Sequence, residues 1–103
     1  MNNFEINESV YKIVSGDLDY KKGENGELLL INKIEHHEFV IGEVDYCNNM
    51  TNSWSLMVTN GYGLSVAKVT NGVKLWLAKS RNGFIVTDVK PGRALARLFL
   101  KCH

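Results

Sequence analysis

The sequence is poor in three features that would each point to a particular class of protein. It has one proline, two cysteines and no apolar run longer than the four residues 28–31. A membrane-spanning helix needs about 18 or more consecutive apolar residues, so we expect no membrane insertion. Disulfide-stapled secreted scaffolds usually carry four or more cysteines, so we expect Cys47 and Cys102 to be free thiols. The sequence does not begin with a basic stretch followed by an apolar stretch, which is the pattern of a secretory signal, so we expect a cytoplasmic protein.

Motifs for cofactor or metal chemistry are also missing. The sequence contains neither a P-loop nor a dinucleotide-binding fingerprint, so we expect no cofactor. Its only dense group of metal-ligating residue types is Glu35-His36-His37-Glu38. Neighbours on a strand point to opposite faces, which leaves fewer than the three or four ligands that zinc needs, so we expect no metal site. A small enzyme using His36, His37 and Cys47 stays open as an alternative.

The composition itself is that of an ordinary globular chain. Of its 103 residues, 45% are hydrophobic and 22% are charged, far from the balance that keeps chains disordered. A chain of this length fills about one hydrophobic core, so we expect residues 1–103 to form a single domain.

Charge is distributed unevenly along the chain. Residues 1–51 contain ten acidic and four basic residues, a net charge of −6, whereas residues 52–103 contain one acidic and eight basic residues, a net charge of +7. Such asymmetry favours contact with a nucleic acid, a membrane surface or a second copy of the chain. The alternative is local neutralisation, if acidic and basic strands alternate around one small sheet.

Asn-Gly pairs indicate antiparallel strands. They occur at 25–26, 60–61, 71–72 and 82–83, and both residues tolerate the positive φ of a type I′ hairpin turn. The runs between these turns predict strands at residues 18–22, 28–34, 39–46, 54–59, 64–70, 73–79 and 84–89. Residues 47–53 are predicted to form a polar loop, at the place where the charge changes sign.

Both ends of the chain favour helix instead. Residues 93–101 are rich in Ala, Leu and Arg, and Leu95, Leu98, Phe99 and Cys102 fall on one helical face. Asn7 could cap a short helix over residues 8–15, although this segment could equally be a strand. The predicted fold class is therefore α+β, mainly an antiparallel β meander of six to seven strands with a C-terminal helix and a short N-terminal helix. An all-β barrel or sandwich is the alternative.

The 71–72 turn predicts which residues share a face of the sheet. A two-residue turn places 68 opposite 75, 67 opposite 76 and 66 opposite 77. One face then carries a mixed Leu/Lys surface, made of Val66, Lys68, Leu75, Leu77, Lys79, Asp88 and Lys90. The other face carries Ala67, Val69, Trp76, Ala78, Ile85 and Val89. The second face has fewer charges, so we expect it to face the core, with Trp76 filling it.

Residues 83–96, Gly-Phe-Ile-Val-Thr-Asp-Val-Lys-Pro-Gly-Arg-Ala-Leu-Ala, resemble the strand and short helix of PDZ domains. The resemblance covers fourteen residues, and the Gly-Asp and the strands that follow in that family are missing. Neither the PDZ fold nor its peptide-binding groove is therefore inferred.

The basic second half supplies the main functional hypothesis. Its lysines and arginines are interleaved with aromatic residues, a combination that pairs phosphates and stacks bases. The predicted binding residues are Lys68, Lys79, Arg81, Lys90, Arg93, Arg97 and Lys101. We expect a non-catalytic protein that binds an anionic macromolecule, nucleic acid first or an acidic protein surface.

Two alternative hypotheses follow from the same features. One alternative is a protein-binding inhibitor or adaptor that uses the mixed Leu/Lys face or an edge strand. The other is a homo-oligomer held by the pairing of oppositely charged halves.

Overall fold

The computed structural model describes all residues, 1–103, and contains three helices and six strands. In chain order they are α1 (Asn3–Val14), β1 (Asp19–Lys22), β2 (Leu28–Ile34), β3 (His37–Val44), α2 (Met50–Asn60), β4 (Gly63–Thr70), β5 (Val73–Lys79), β6 (Ile85–Asp88) and α3 (Pro91–Cys102). The α+β class is confirmed, as are both terminal helices.

The strands form two separate sheets. β1, β2 and β3 make one antiparallel sheet in that order, which we call sheet A, and β4, β5 and β6 make a second one, sheet B. The predicted antiparallel meander of six to seven strands is present as six strands in two three-stranded meanders, and neither sheet closes into a barrel. The molecule is elongated, 51 × 31 × 21 Å.

The N-terminal helix begins earlier than the sequence pattern predicted. Asn2, not Asn7, is its cap: the Asn2 side chain accepts from the Glu5 backbone N–H at 2.8 Å, and the Glu5 carboxylate accepts from the Asn2 N–H at 3.0 Å. This reciprocal pair is a capping box. Asn7 is instead buried inside the helix, where its amide oxygen accepts from the backbone N–H of Tyr46 at 2.8 Å.

The largest error concerns residues 50–60, for which the sequence predicted a loop followed by a strand. They form helix α2, because Asn49 caps its start by accepting from Thr51 N–H at 2.9 Å. Gly61, with φ of 67°, ends it in the left-handed conformation. An Asn-Gly pair can end a helix as well as form a hairpin turn, and Asn60-Gly61 ends helix α2.

The remaining Asn-Gly pairs all lie in connections between strands. Asn71 (φ 51°) and Gly72 (φ 78°) form the two-residue turn between β4 and β5, as predicted. The turns that contain Gly26 and Gly83 each span five residues. The predicted register holds at Lys68 and Leu75 but fails beyond them, because Ala67 is an extra, bulged residue in β4.

Helix α3 is the centre of the core. Leu95 and Leu98 are fully buried in a cluster that also contains Val10 of α1, Leu56 of α2 and Leu28 of β2. α3 packs against α1, α2, β5 and β6. Sheet A reaches the same core through Leu28 and through α1, which packs against β2.

The part of sheet B that reaches this core is smaller than predicted. Only Ala78 of the predicted core face is buried, together with Val86 of β6. Trp76 is half-buried outside the cluster, with the Lys74 ammonium 5.8 Å from its ring centre. The other members of that face are exposed: Ala67, Val69, Ile85 and Val89. Ile85 was placed on the wrong face, because it pairs with Lys79 and therefore lies on the side of sheet B opposite Ala78.

A close contact joins the start of α3 to the segment between the two halves. A Cβ atom on Gly92 would lie 2.6 Å from the Tyr46 carbonyl oxygen and 3.0 Å from that of Cys47. Only glycine permits this approach.

None of the three helices is long and apolar enough to cross a membrane.

Candidate polyanion-binding surface

The acidic and basic residues lie in different parts of the fold. Sheet A is built from residues 19–44 and sheet B from residues 63–88, so no sheet contains strands from both halves. The alternative of acidic and basic strands alternating around one sheet is therefore wrong. The charge asymmetry of the sequence is also an asymmetry in space.

The ion pairs confirm this separation. There are four of them: Lys12–Glu8, Lys21–Glu38, Arg93–Asp88 and Arg97–Asp88. The first two lie within the acidic half and the last two within the basic half. No ion pair joins the halves.

Three of the seven predicted binding residues are held by other groups. Arg93 Nε and Arg97 Nη1 both lie 3.1 Å from Asp88 Oδ2, whose side chain is only 9% exposed. Arg93 also donates to the Met1 carbonyl at 2.9 Å, and Arg97 to the Thr87 carbonyl at 3.0 Å. Lys90 Nζ donates to Asn48 Oδ1 at 2.6 Å. These three side chains are each bonded to another group of the protein, although Lys90 and Arg97 remain exposed.

The other four have no ion pair and no hydrogen bond, and we call them the free cations: Lys68, Lys79, Arg81 and Lys101. All four are exposed. Lys68 and Lys79 lie on the face of sheet B that points away from α3, about 13 Å apart at roughly 3.3 Å per residue along β5.

The residues on this outer face differ in part from those of the predicted Leu/Lys surface. Lys68, Leu75, Leu77 and Lys79 do share it. The bulge at Ala67 moves Val66 to the opposite face and brings in Ser65, which pairs with Leu77. Asp88 and the arginines bonded to it lie on the opposite, α3-facing side.

The remaining two free cations flank the loop between β5 and β6. Arg81 lies in that loop, with its guanidinium across Gly61 at the C-terminal end of α2, where the carbonyl groups favour a cation. Lys101 Nζ lies 5.8 Å from the ring centre of Phe84, which is exposed. The loop is braced, because Phe84 N–H donates to the Ser80 hydroxyl at 3.0 Å and Ser80 N–H to the Phe84 carbonyl at 2.9 Å.

The residues of the enzyme alternative do not come together. His36 and His37 lie at the turn that begins β3, whereas Cys47 follows the far end of that strand, about 23 Å away at roughly 3.3 Å per residue. Burial raises the pKa of the Cys47 thiol to about 11, so the nucleophilic thiolate is disfavoured at neutral pH. No group of three or more His, Cys, Asp and Glu residues is placed to hold a metal ion. Cys47 and Cys102 are both free.

Sequence reasoning missed the role of Asp88. Asp88 is the only acidic residue in residues 52–103, which contain eight basic residues, and this was the signal in the sequence that could have identified it.

The groove beside β6 had no comparable signal in the sequence. It has a volume of about 530 Å³ and lies between strand β6 and helix α3, where Arg97, Leu100 and Lys101 line it.

Comparison of the chain with protein-family models, with curated proteins and with solved structures gave no match in any of the three.

Proposed function

We propose that this protein binds single-stranded nucleic acid through its free cations. The observation that carries the proposal is the absence of any ion pair between the acidic and basic halves. Unpaired, exposed lysines and arginines release counterions when they contact phosphates, and this release drives nucleic-acid binding. A cytoplasmic protein would meet such strands.

The geometry supports a single strand over a duplex. Phe84 is an exposed aromatic residue beside Lys101, on a loop held by two hydrogen bonds to Ser80. An unpaired base can stack on such a ring while neighbouring phosphates contact the lysines. No helix carries a free row of basic residues for a major groove, because Arg93 and Arg97 are bonded to Asp88.

The first test is the salt dependence of oligonucleotide binding, measured by fluorescence anisotropy. Four phosphate contacts on a single strand predict a slope of about −2.8 in log affinity against log salt, or a roughly 50-fold loss between about 50 and about 200 mM. Binding that ignores salt, or no binding at low salt, would contradict the proposal.

The second test compares two double variants that make the same change of charge. Lys68→Gln with Lys79→Gln removes two free cations, whereas Lys22→Gln with Lys33→Gln removes two lysines from sheet A. We expect the first pair to reduce the salt slope by about 1.4 and the second to leave it unchanged. Equal effects of the two pairs would show that the charge of the whole molecule, and not this surface, attracts the strand.

The third test separates stacking from charge. Phe84→Leu keeps an apolar side chain but removes the aromatic ring. We expect about fivefold weaker binding, or more, to a single strand, with the same salt slope. An unchanged affinity would remove Phe84 from the site and leave only phosphate contacts.

A second candidate function is the binding of an extended acidic peptide, and the groove beside β6 favours it. β6 is an edge strand, and the groove next to it is lined by Arg97 and Lys101. A peptide strand could add to β6 through backbone hydrogen bonds, with its carboxylates towards these bases. Binding of an acidic peptide that survives Lys68→Gln with Lys79→Gln, without oligonucleotide binding, would favour this function over the first.

A further inference from the structure

The four Asn-Gly pairs of the chain differ in the hydrogen bonding of the glycine nitrogen. Gly26 and Gly83 each donate their backbone N–H to a carbonyl three residues earlier, at 3.1 Å. Gly61 donates its N–H to the Met57 carbonyl at the end of α2. Gly72 donates to no group, because a two-residue hairpin turn pairs only the residues on either side of it. One glycine nitrogen of the four is therefore unbonded.

An unbonded nitrogen after asparagine permits a reaction that needs only water. The glycine nitrogen gives up its proton and attacks Cγ of the asparagine side chain, and the side-chain nitrogen leaves as ammonia. Water then opens the resulting five-membered imide at one of its two carbonyl groups. The net change is an amide and water giving a carboxylate and ammonium, with no oxidation or reduction. A hydrogen bond from the glycine N–H must break before this attack, so the unbonded pair reacts most readily.

The turn at Asn71 and Gly72 is one small rotation away from the geometry of ring closure. Both residues have positive φ, 51° and 78°, as in a type I′ turn. Rotation of the peptide group between them gives a type II′ turn, in which only the first residue keeps its positive φ. This rotation brings the Gly72 nitrogen over the Asn71 side chain. The pairing of Thr70 with Val73 on either side is kept.

The surroundings allow this rotation at Asn71 and hinder it at Asn60. Residues 69–74 are all exposed, so the peptide group at the tip of the hairpin turns without displacing a core side chain. The Asn60 side chain instead donates to the Leu56 carbonyl at 2.8 Å. The Arg81 guanidinium also covers the glycine that follows Asn60. The structure thus distinguishes pairs that are identical in the sequence.

We propose that Asn71 is a site of spontaneous deamidation, which adds a negative charge to the β4–β5 hairpin and weakens nucleic-acid binding there. The effect on binding rests on the proposed function, whereas the modification itself does not. Lys68, one of the free cations, lies three residues from Asn71, about 10 Å along β4 at roughly 3.3 Å per residue. This distance is close to the Debye length at about 0.1 M salt, so a new carboxylate acts on phosphates near Lys68.

Peptide mass mapping tests the modification without reference to binding. Tryptic cleavage after Lys and Arg places the four Asn-Gly pairs in separate peptides, 23–33, 34–68, 69–74 and 82–93. After incubation of the intact protein at mildly alkaline pH, we expect peptide 69–74 to deamidate about fivefold faster, or more, than the other three. In urea the four rates should converge, because each asparagine precedes a glycine. Equal rates in the folded protein, or a faster reaction at another pair, would overturn the assignment.

Two matched variants test the effect on binding. Asn71→Asp introduces the charge of the product, and we expect about twofold weaker oligonucleotide binding at low salt. Asn25→Asp makes the same change in the turn between β1 and β2 of sheet A and should weaken binding less. Equal weakening by both variants, or none by Asn71→Asp, would overturn the effect on binding. If the unmodified protein binds no oligonucleotide, the proposed function fails, whereas the peptide masses alone decide the assignment of Asn71.

Discussion

The acidic and basic halves are built alike and charged oppositely. Each contains a helix followed by three antiparallel strands in sequential order, to which the basic half adds α3, and each sheet has one register shift. Yet residues 1–51 carry a net charge of −6 and residues 52–103 a net charge of +7. The same arrangement of elements forms with either sign of charge, so folding does not require the basic surface.

The halves also differ in how they use their ion pairs. Asp88 in the basic half has a side chain 9% exposed and holds two arginines, whereas Glu38 in the acidic half is 39% exposed and pairs with Lys21 alone at 2.8 Å. Exposed pairs are screened by water and contribute little, while removal of one partner from a nearly buried pair leaves an uncompensated charge. The ion pairs of the basic half are therefore the structural ones.

The largest effect is expected at the contact between the halves, Gly92. A Cβ there would collide with the Tyr46 backbone, which cannot move aside as a flexible side chain could. We expect Gly92→Ala to lower the free energy of unfolding by about 3 kcal/mol or more, measured by urea denaturation. The structure should melt as a whole, because residues of both halves share one core cluster around α3.

Gly63→Ala is the matched control for this change. A Cβ on Gly63 would meet nothing within 4 Å, and its φ lies outside the left-handed region. We expect a change within about 0.5 kcal/mol. A similar loss in both variants would mean that the close approach at Gly92 is not what excludes a side chain.

Local sequence patterns could predict most of the fold. The bounds of β2 and β5 were correct, and the C-terminal helix followed from the spacing of Leu95, Leu98 and Phe99. Helix α2 could not be predicted in the same way. Its buried side is short and includes Ser53 as well as Leu56, and its exposed Trp54 and Val58 are residues typical of strands. The packing of α2 on α3 outweighed these propensities.

The candidate site could be predicted only in part. Charge counting identified the basic half, because each sheet takes all of its strands from one half of the sequence. It could not divide the seven cations into free and bonded ones, since that division depends on Asp88 and on contacts up to 92 residues apart, such as Arg93 with Met1. The bulge at Ala67 was equally hidden, and it changed which residues share a face of the hairpin.

A smaller effect should separate the ion pairs of the two halves. Asp88→Asn removes the charge that Arg93 and Arg97 share, and we expect a loss of about 1–2 kcal/mol, reduced from the value for a fully buried pair because Arg97 is partly exposed. Glu38→Gln is the matched change in the acidic half and should lower the urea midpoint at neutral pH much less than Asp88→Asn does, because the Lys21–Glu38 pair is exposed. Equal losses would show that the two pairs contribute alike.

Lowering the pH should reveal the contribution of Glu38 to the stability of the protein. The hydrogen bond from Lys21 holds the pKa of this carboxyl below its ordinary value of 4.5. The stabilisation is therefore present above that pH and is lost as the pH falls and the carboxylate is protonated. Glu38→Gln should lack this small acid-dependent step, and a step of the same size in the variant would assign it to another carboxyl.

A further effect is expected in alkali, where two groups of the shared core should titrate in sequence. Burial raises the pKa of the Cys47 thiol from 9.0 to about 11, and burial with a hydrogen bond to Cys102 raises the pKa of Tyr62 from 10.0 to about 12. The folded state thus favours the neutral form of both groups. Their contribution is complete below pH 9 and is lost as the pH rises, first through Cys47 in the acidic half and then through Tyr62 in the basic half. The urea midpoint should fall as the pH is raised, first over the titration range of Cys47 and then over that of Tyr62. Cys47→Ala should flatten the first part of the decline, and an unchanged decline in that variant would locate the titrating group elsewhere.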